Sequence, residues 1–160
     1  LAGSLHGGAN ANVMRMLKEV DDSDTDPRTW VEQALDEGRR VPGFGHRVYN
    51  VKDPRAEILG TKSKELAETA GEARWYDYST TIEAYIADEK GLVPNVDFYS
   101  ASTYYQMGIP VDAYTPIFAM SRVAGWIAHV LEQYEDNRLI RPRARYVGET
   151  DHPFPPLEER

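Results

Sequence analysis

The chain is organised around Val41-Pro-Gly-Phe-Gly-His-Arg-Val-Tyr49, which continues as Asn50-Val-Lys-Asp-Pro-Arg-Ala56. Glycine and proline around Phe44 exclude a regular helix or strand there, so backbone amides of this loop can approach a ligand closely. His46 then lies on a rigid turn that we expect to be exposed.

A helix is expected to begin soon after this loop. Asp53 is a favourable N-cap and Pro54 suits the first helical position, so the helix N-terminus and Arg55 point back towards His46. An anion or nucleotide site is one interpretation of this arrangement. The alternative is a tight turn with a solvated histidine and an arginine that is indifferent to the helix dipole.

The composition limits the class of protein. With 160 residues and 18.1 kDa, the chain can form one domain, or a small domain with part of another. The net charge of -8 and the pI near 5.0 disfavour general nucleic-acid binding. The sequence contains no cysteine, which excludes disulfides and thiolate zinc sites and fits a cytoplasmic protein.

The 13 Arg and 5 Lys beside 26 acidic residues are typical of a salt-rich cytoplasm. The opening Leu1-Ala-Gly-Ser-Leu5 contains no targeting segment, and we interpret it as the start of a fragment.

Helical periodicity and capping signals predict an all-α fold, because no stretch alternates with period two for long enough to form a strand. The expected helices have apolar residues at helical spacing, such as Ile58 and Leu59 in the third. They run from about 9 to 20, 27 to 37, 54 to 70, 79 to 90, 96 to 107 and 117 to 134.

The last predicted helix is apolar on nearly every side, so we expect it to be buried on several faces. Arg122, His129 and Glu132 interrupt the apolar run too early for a membrane span. A buried Arg122 would need a carboxylate or an anionic ligand, and both a structural salt bridge and a ligand contact are open.

Three further positions can carry chemistry. His6 precedes two glycines and a helix N-terminus, where positive potential keeps an imidazole neutral; the alternative is an ordinary turn residue. Asp97 lies in the first turn of a helix capped by Asn95, either as a crowded, partly desolvated carboxylate or as a surface charge that complements the helix dipole. Arg141 belongs to a basic, extended tail that suits either a phosphate or a neighbouring acidic surface.

Four motifs follow one another along the chain. They are Leu5-His-Gly-Gly-Ala-Asn10, Pro42-Gly-Phe-Gly-His-Arg-Val-Tyr49 with Asp53-Pro-Arg55, Pro94-Asn-Val-Asp-Phe-Tyr-Ser100, and Thr115-Pro-Ile-Phe-Ala119 followed by Ser121-Arg122. Together they resemble the carboxyl-terminal portion of the citrate synthase subunit. This resemblance implies a small helical domain that closes over a large one. Residues 7–112 would form the small, coenzyme A and catalytic domain, and residues 1–6 and 113–160 would belong to the large domain.

The resemblance implies a reaction as well. Acetyl-CoA condenses with oxaloacetate, and hydrolysis of citryl-CoA gives citrate and CoA, the entry step of the tricarboxylic acid cycle. Coenzyme A enters as the acetyl-CoA co-substrate, without a permanently bound cofactor and without a metal. The implied partners are the two substrates and a second subunit in a homodimer, with neither nucleic acid nor membrane, in the cytoplasm.

Residue roles come from the same resemblance. Asp97 is the implied general base for the thioester methyl, His6 hydrogen-bonds the enol or enolate oxygen, and His46 donates to the oxaloacetate carbonyl. Three arginines match those that bind the substrate's carboxylates, the last of them from the partner subunit: Arg55, Arg122 and Arg141. The coenzyme loop, whose backbone reads adenine, matches Arg40, Val41, Pro42, Gly43 and Phe44.

Other interpretations stay open at this stage. The closest rival is 2-methylcitrate synthase, which shares the motifs and accepts propionyl-CoA. The carboxyl-terminal module of ATP-citrate lyase fits residues 49–55 and the context of Asp97 less well. A non-catalytic coenzyme A binding or assembly module is the alternative from another class, and the retained His6, His46 and Asp97 argue against it. Ala101 replaces the glycine that many relatives have after the serine, which affects helix packing alone.

Overall fold

The computed structural model describes residues 3, 7–49, 51–151 and 153–159. The α-helices in these residues are α1 (Ala9–Asp22), α2 (Pro27–Asp36), α3 (Pro54–Ala70), α4 (Arg74–Lys90), α5 (Val96–Gln106) and α6 (Tyr114–Glu135). Single 3₁₀ turns lie at Val111–Ala113 and Leu157–Glu159. The predicted all-α fold is confirmed.

The predicted helix starts at capping residues are confirmed. Asp26 caps α2 and Asp53 caps α3, each ahead of a proline at the first helical position. Asn95 caps α5, because its Oδ1 accepts a hydrogen bond from the Asp97 amide at 2.9 Å. Side-chain acceptors at these positions satisfy amides that the helix itself leaves without partners.

Two helices begin earlier than the sequence pattern predicts. The helix α4 begins at Arg74, not at residue 79, and the buried Trp75 adds its ring to the inner face of this helix. The helix α6 begins at Tyr114, not at Ile117. The buried Tyr114 hydroxyl donates to the Ala101 carbonyl of α5 at 3.0 Å, which fixes this first turn.

The inner face of α3 also differs from the expected one. Ile58 is exposed and Leu59 is half-buried, while the small residues Ala56 and Ser63 are buried. The hydroxyl of Ser63 lies 2.9 Å from that of Ser102 on α5. Small side chains let two helix backbones approach closely, and the larger Ile58 is turned away from this contact.

By its backbone contacts the chain divides into two units, Leu1–Ala124 and Gly125–Arg160. In the first unit α5 packs against α3, α1 and α4, and α2 packs against α4. The buried apolar cluster draws on all of these helices and includes Val13, Met14, Leu17, Val31, Ile82, Ile86 and Phe98. The helix α5 is therefore the central one of the first unit, and its N-terminus is held from several sides.

Most of α6 is exposed. Tyr114 is its buried residue, whereas Trp126, Ile127, Val130 and Leu131 are exposed. The described residues do not cover this helix, so its expected burial on several faces stays a prediction for the complete protein. A contiguous apolar face of this kind marks a surface that another chain segment or subunit covers.

The second unit contains the end of α6, an extended stretch and the 3₁₀ turn at Leu157–Glu159. The predicted division between a small and a large domain at residues 112 and 113 stays a prediction. No helix in the described ranges is both long enough and apolar enough to cross a bilayer.

The glycine loop, residues 41–49, provides a test of the packing against α5. Gly43 has φ +89°, and a Cβ there would lie 2.8 Å from Phe98 Cδ2 and 2.9 Å from Val13 Cγ2. Gly43→Ala should therefore lower the free energy of unfolding by about 2 to 5 kcal/mol, from backbone strain and overpacking together. Denaturant unfolding of the full-length protein measures the change.

Gly38→Ala is the matched control for this experiment. Gly38 has a similar φ of +74°, but a Cβ there would meet no atom within 4 Å, so the variant carries only the backbone strain, about 1 kcal/mol. Equal losses in the two variants would contradict the close contact of Gly43 with Phe98 and Val13.

Candidate active site

The glycine loop is hydrogen-bonded to the segment that leads into α5. The Gly45 amide donates to the Val93 carbonyl at 3.0 Å, and the Asn95 amide donates to the Gly43 carbonyl at 2.9 Å. Asn95 Nδ2 also donates to the Gly45 carbonyl at 2.9 Å. Phe44 forms an isolated antiparallel β-bridge with Pro94, and its ring lies tilted against the ring of Phe98 with the centroids 4.6 Å apart. These contacts bring the end of the loop to the N-terminus of α5.

His46 leaves this loop with one ring nitrogen already occupied. Its Nδ1 accepts hydrogen bonds from the amides of Val48 and Tyr49, both at 3.0 Å. The Tyr49 ring stacks on the imidazole with centroids 4.5 Å apart. Because the lone pair of Nδ1 faces two donors, the proton of the neutral ring lies on Nε2. The exposed imidazole is thus oriented as a hydrogen-bond donor.

Arg55 is oriented by the aspartate that caps its helix. Its Nε donates to Asp53 Oδ1 at 3.0 Å and its Nη2 donates to Asp53 Oδ2 at 2.8 Å. The Asp53 side chain is fully buried, whereas that of Arg55 is 48% exposed. The hydrogen bonds from Arg55 hold the pKa of the Asp53 carboxyl below its usual range. A guanidinium has five N–H donors, so a fixed Arg55 can still bind a carboxylate of a ligand.

Asp97 lies in the first turn of α5 and is 7% exposed. Burial raises the pKa of the Tyr104 phenol on the same helix, and the negative charge of Asp97 adds to this effect. The negative charge of Asp97 also contributes to the raised pKa of Arg55, after the larger effect of Asp53. Of the two sequence-based interpretations, the crowded carboxylate is the correct one, because a surface charge would be exposed.

Arg122 lies on α6, and its Cζ is 5.5 Å from the centre of the Phe118 ring. Arg122 is accessible in the described part of the chain, so the structural salt bridge and the ligand contact both stay predictions.

These groups line one cavity of about 550 Å³ in the first unit. The polar part of the lining comes from the glycine loop, α3, the start of α5 and α6. It comprises His46, Arg47, Arg55, Asn95, Asp97 and Arg122. An imidazole N–H donor, a nearly buried carboxylate and three guanidinium groups share this space. Such a set can bind a small polycarboxylate, polarise its carbonyl and remove a proton from a second substrate.

The predicted coenzyme loop is flanked by two smaller cavities. One, of about 310 Å³, is mainly apolar and is lined in part by Arg40, Val41 and Phe44. The other, of about 220 Å³, is lined in part by Arg40, Val41 and Pro42. Gly43 is buried beneath them. Four of the five predicted residues are thus open to a ligand.

Two of the predicted site residues, His6 and Arg141, are not among those that line this cavity in the described part of the chain. His6 lies outside the described residues. Arg141 belongs to the second unit, where it is exposed in extended backbone.

The sequence interpretation missed three functions of residues around the cavity. Asp53 serves as the buried counter-ion of Arg55 in addition to capping α3, and the Asp-Pro-Arg spacing is the signal that could have indicated it. The carboxamide of Asn95 ties down the loop as well as capping α5. Phe118 supports Arg122 through an aromatic contact one helical turn earlier.

Comparison with known proteins gives consistent matches over the chain. The family model for the citrate synthase C-terminal domain matches residues 1–143. The citrate synthase of Haloferax volcanii is 76% identical over the whole chain, which covers 42% of that protein. The 2-methylcitrate synthase of Shewanella oneidensis is 42% identical, again over the whole chain and 42% of the relative. The chain thus spans about two fifths of the length of these curated relatives.

A solved structure is similar in fold as well as in sequence. It is the ternary complex of citrate synthase from Thermoplasma acidophilum with carboxymethyl coenzyme A and oxaloacetate. The TM-score is 0.80 at 38% identity, and the match covers 100% of this chain and 44% of that one.

The ion pair between Asp53 and Arg55 should make stability depend on pH. Because the folded-state pKa of Asp53 is lowered, its contribution is complete above the unfolded pKa of about 4 and is lost as the pH falls through the folded pKa. Asp53→Asn keeps a good N-cap but loses the charged hydrogen bonds, about 1 to 3 kcal/mol at pH 7. Denaturant unfolding of the full-length protein from pH 7 to pH 3 should show this difference shrink below about pH 4.

Asp26→Asn is the control, since Asp26 also caps a helix ahead of a proline but is exposed, and its hydrogen-bond donors are Thr29 and the Arg28 amide rather than a guanidinium. Its effect should be smaller at every pH. A difference between wild type and Asp53→Asn that stays constant from pH 7 to pH 3 would contradict the ion-pair assignment.

Proposed function

The chain belongs to the citrate synthase family, and from this premise we propose that the complete protein condenses acetyl-CoA with oxaloacetate and water to give citrate and CoA. The observation that carries this proposal is the shared cavity of His46, Arg55, Asp97 and Arg122. The Thermoplasma relative binds carboxymethyl coenzyme A and oxaloacetate, which supports the same two substrate classes here.

In the proposed reaction Asp97 removes a proton from the methyl group of the acetyl thioester. The enol or enolate carbon then attacks the carbonyl carbon of oxaloacetate, and a C–C bond forms as the carbonyl π electrons move to oxygen. His46 Nε2–H donates a hydrogen bond to that oxygen, which gains one proton to become the hydroxyl of citryl-CoA, in balance with the proton that Asp97 removed. The Nδ1 acceptor bonds of His46 hold the donor ready before the substrate arrives. Each of these groups typically contributes about 10²- to 10⁴-fold in rate.

His6 is assigned the thioester oxygen in this proposal. A hydrogen bond from a neutral imidazole would stabilise the enol or enolate without giving up a full proton. The product of the condensation, citryl-CoA, is then hydrolysed by water to citrate and CoA. In both the condensation and the hydrolysis, negative charge develops on an oxygen atom. The main requirement is that hydrogen-bond donors of the protein stabilise this charge.

The arginines bind the two carboxylates of oxaloacetate. Arg55 is held in place by Asp53, so little side-chain entropy is lost when a carboxylate binds. Arg122 can donate two parallel hydrogen bonds from its planar guanidinium to the second carboxylate. Arg141 of the partner subunit would complete the site. A homodimer follows from this last assignment.

Coenzyme A is proposed to bind along residues 40–44, where backbone groups read the adenine. The apolar cavity beside Val41 and Phe44 provides a surface for a base or for the pantetheine arm. The coenzyme is a co-substrate in this scheme, and no permanently bound cofactor takes part. We further propose a cytoplasmic enzyme, with residues 7–112 as the closing domain.

A preference for propionyl-CoA is the alternative, as in 2-methylcitrate synthases. It is not favoured, because the Shewanella 2-methylcitrate synthase is 42% identical and the Haloferax citrate synthase is 76% identical. The full-length protein should release CoA from acetyl-CoA only in the presence of oxaloacetate, and faster than from propionyl-CoA. The absence of such release in a folded dimer would refute the proposed function, and faster propionyl-CoA turnover would favour the alternative.

Asp97→Asn tests the general base. Asparagine keeps the shape of the side chain but cannot accept the proton, so kcat should fall by at least about 10²-fold while the KM for oxaloacetate changes little. Thiol release monitored at saturating substrates measures kcat. Asp77→Asn is the control, since Asp77 is an exposed aspartate in the first turn of α4. Near-normal turnover of Asp97→Asn would leave Asp97 as a helix-terminal charge only.

Arg141 is predicted to serve the site of the partner subunit. Loss of one charge-assisted contact costs roughly 1.5 to 3 kcal/mol, so Arg141→Ala should raise the oxaloacetate KM strongly with little effect on coenzyme A binding. Arg143→Ala, in the same exposed tail, is the control.

Mixed dimers test the subunit boundary directly. When an Arg141→Ala subunit pairs with an Asp97→Asn subunit, one of the two sites has both residues intact, and activity should return to that site. If heterodimers form without any gain in activity, Arg141 does not act across the boundary.

A further inference from the structure

Glu83 lies in the middle of α4, away from the residues that line the cavity, and both of its carboxylate oxygens have partners. Its Oε1 lies 2.5 Å from the Lys52 ammonium. Its Oε2 accepts a hydrogen bond from the Tyr99 hydroxyl. The side chain is 22% exposed, so these are partly desolvated interactions in which geometry matters more than at the surface.

The first partner leads to the substrate-binding arginine. Lys52 immediately precedes Asp53, the buried carboxylate that holds Arg55 with two hydrogen bonds. Anchoring Lys52 on α4 therefore limits how the chain enters α3. The ammonium also lies 5.5 Å from the centre of the Tyr99 ring, which joins both partners of Glu83 to each other.

The second partner leads to the general base. Tyr99 is 3% exposed and follows Asp97 by two residues on α5. Burial and the Glu83 carboxylate raise the pKa of the Tyr99 phenol, so it remains a hydrogen-bond donor at neutral pH. A Cβ added at Gly60 of α3 would lie 3.4 Å from the Tyr99 ring, so α3 passes directly over this side chain.

We propose that Glu83 is a positioning residue that fixes the segment carrying Arg55 relative to the helix carrying Asp97. One carboxylate contacts both elements, and neither contact touches the cavity. This inference rests on the proposed function, because it concerns the alignment of oxaloacetate with the base. A partly buried ion pair adds little net stability compared with apolar packing, so its main effect should be on geometry.

Glu83→Gln in the full-length enzyme is the test. Glutamine keeps the size of the side chain but loses the charge that holds Lys52. The KM for oxaloacetate should rise about 10-fold, since small displacements of binding groups are costly, while the KM for acetyl-CoA should stay within about twofold. If Glu83 were only structural, Glu83→Gln would lower thermal stability without raising the KM for oxaloacetate more than the KM for acetyl-CoA.

Glu65→Gln is the matched control, because it breaks an exposed ion pair of similar length, Lys62–Glu65 at 2.6 Å on α3. It should leave both KM values unchanged. Lys52→Met removes the same ion pair from its other end, at a side chain that is 39% exposed. If Glu83→Gln does not fold, the oxaloacetate KM of Lys52→Met tests the positioning role instead. The double variant should be no worse in oxaloacetate KM than Glu83→Gln alone, as expected for residues that act as one unit.

The outcomes separate the two proposals. A wild-type enzyme that releases no CoA overturns the proposed function, and with it the positioning role. An active wild type whose Glu83→Gln or Lys52→Met variant folds with an unchanged oxaloacetate KM overturns the positioning role alone.

Discussion

The rest of the site depends on the pairing between the glycine loop and the segment that leads into α5. Two backbone hydrogen bonds and one from the Asn95 carboxamide join residues that lie 48 to 52 positions apart in the sequence. Each bond is worth only about 1 kcal/mol, yet together they determine where His46 lies relative to Asp97. A displacement of about 1 Å between catalytic groups can cost 10²-fold in rate. The loop therefore fixes the relative position of two proposed catalytic groups, His46 and Asp97.

A second feature is that the groups facing the cavity are oriented although several are exposed. His46 and Arg55 both have accessible side chains, but backbone amides hold one and a buried carboxylate holds the other. Donors fixed in advance need little reorganisation when charge develops on a bound substrate. The polar groups that do this orienting, Asp53 and the amides of Val48 and Tyr49, come from the chain immediately around the residues they orient. Residues nearby in the sequence thus orient the side chains of His46 and Arg55. The pairing between the glycine loop and the segment before α5 sets where His46 lies in the site.

The sequence predicted the local part of this structure well. Asp26-Pro27, Asp53-Pro54 and Asn95 indicated helix starts because capping is a contact within three residues. Sequence also indicated the convergence of His46 and Arg55. It did not predict the start of α6 at Tyr114, which depends on a hydrogen bond to Ala101, or the exposure of Ile58, which depends on which neighbour covers each face of α3. The tautomer of His46 likewise required three-dimensional positions, since nothing in the residue pattern shows that two amides turn back to Nδ1.

Asn95 illustrates how narrow a chemical requirement the fold can place on one side chain. Its oxygen accepts the Asp97 amide while its nitrogen donates to the Gly45 carbonyl, so the orientation of the carboxamide is settled by its two partners. Aspartate has nearly the same shape and would cap the helix equally well, but it would direct an oxygen at the Gly45 carbonyl and add a second negative charge beside Asp97. Serine would cap the helix but is too short for the loop. The single-atom difference between an amide and an acid therefore determines whether this side chain adds its hydrogen bond to the two backbone hydrogen bonds between loop and helix. Deamidation at this position would replace that bond by a repulsion at the Gly45 carbonyl while leaving the cap of α5 in place.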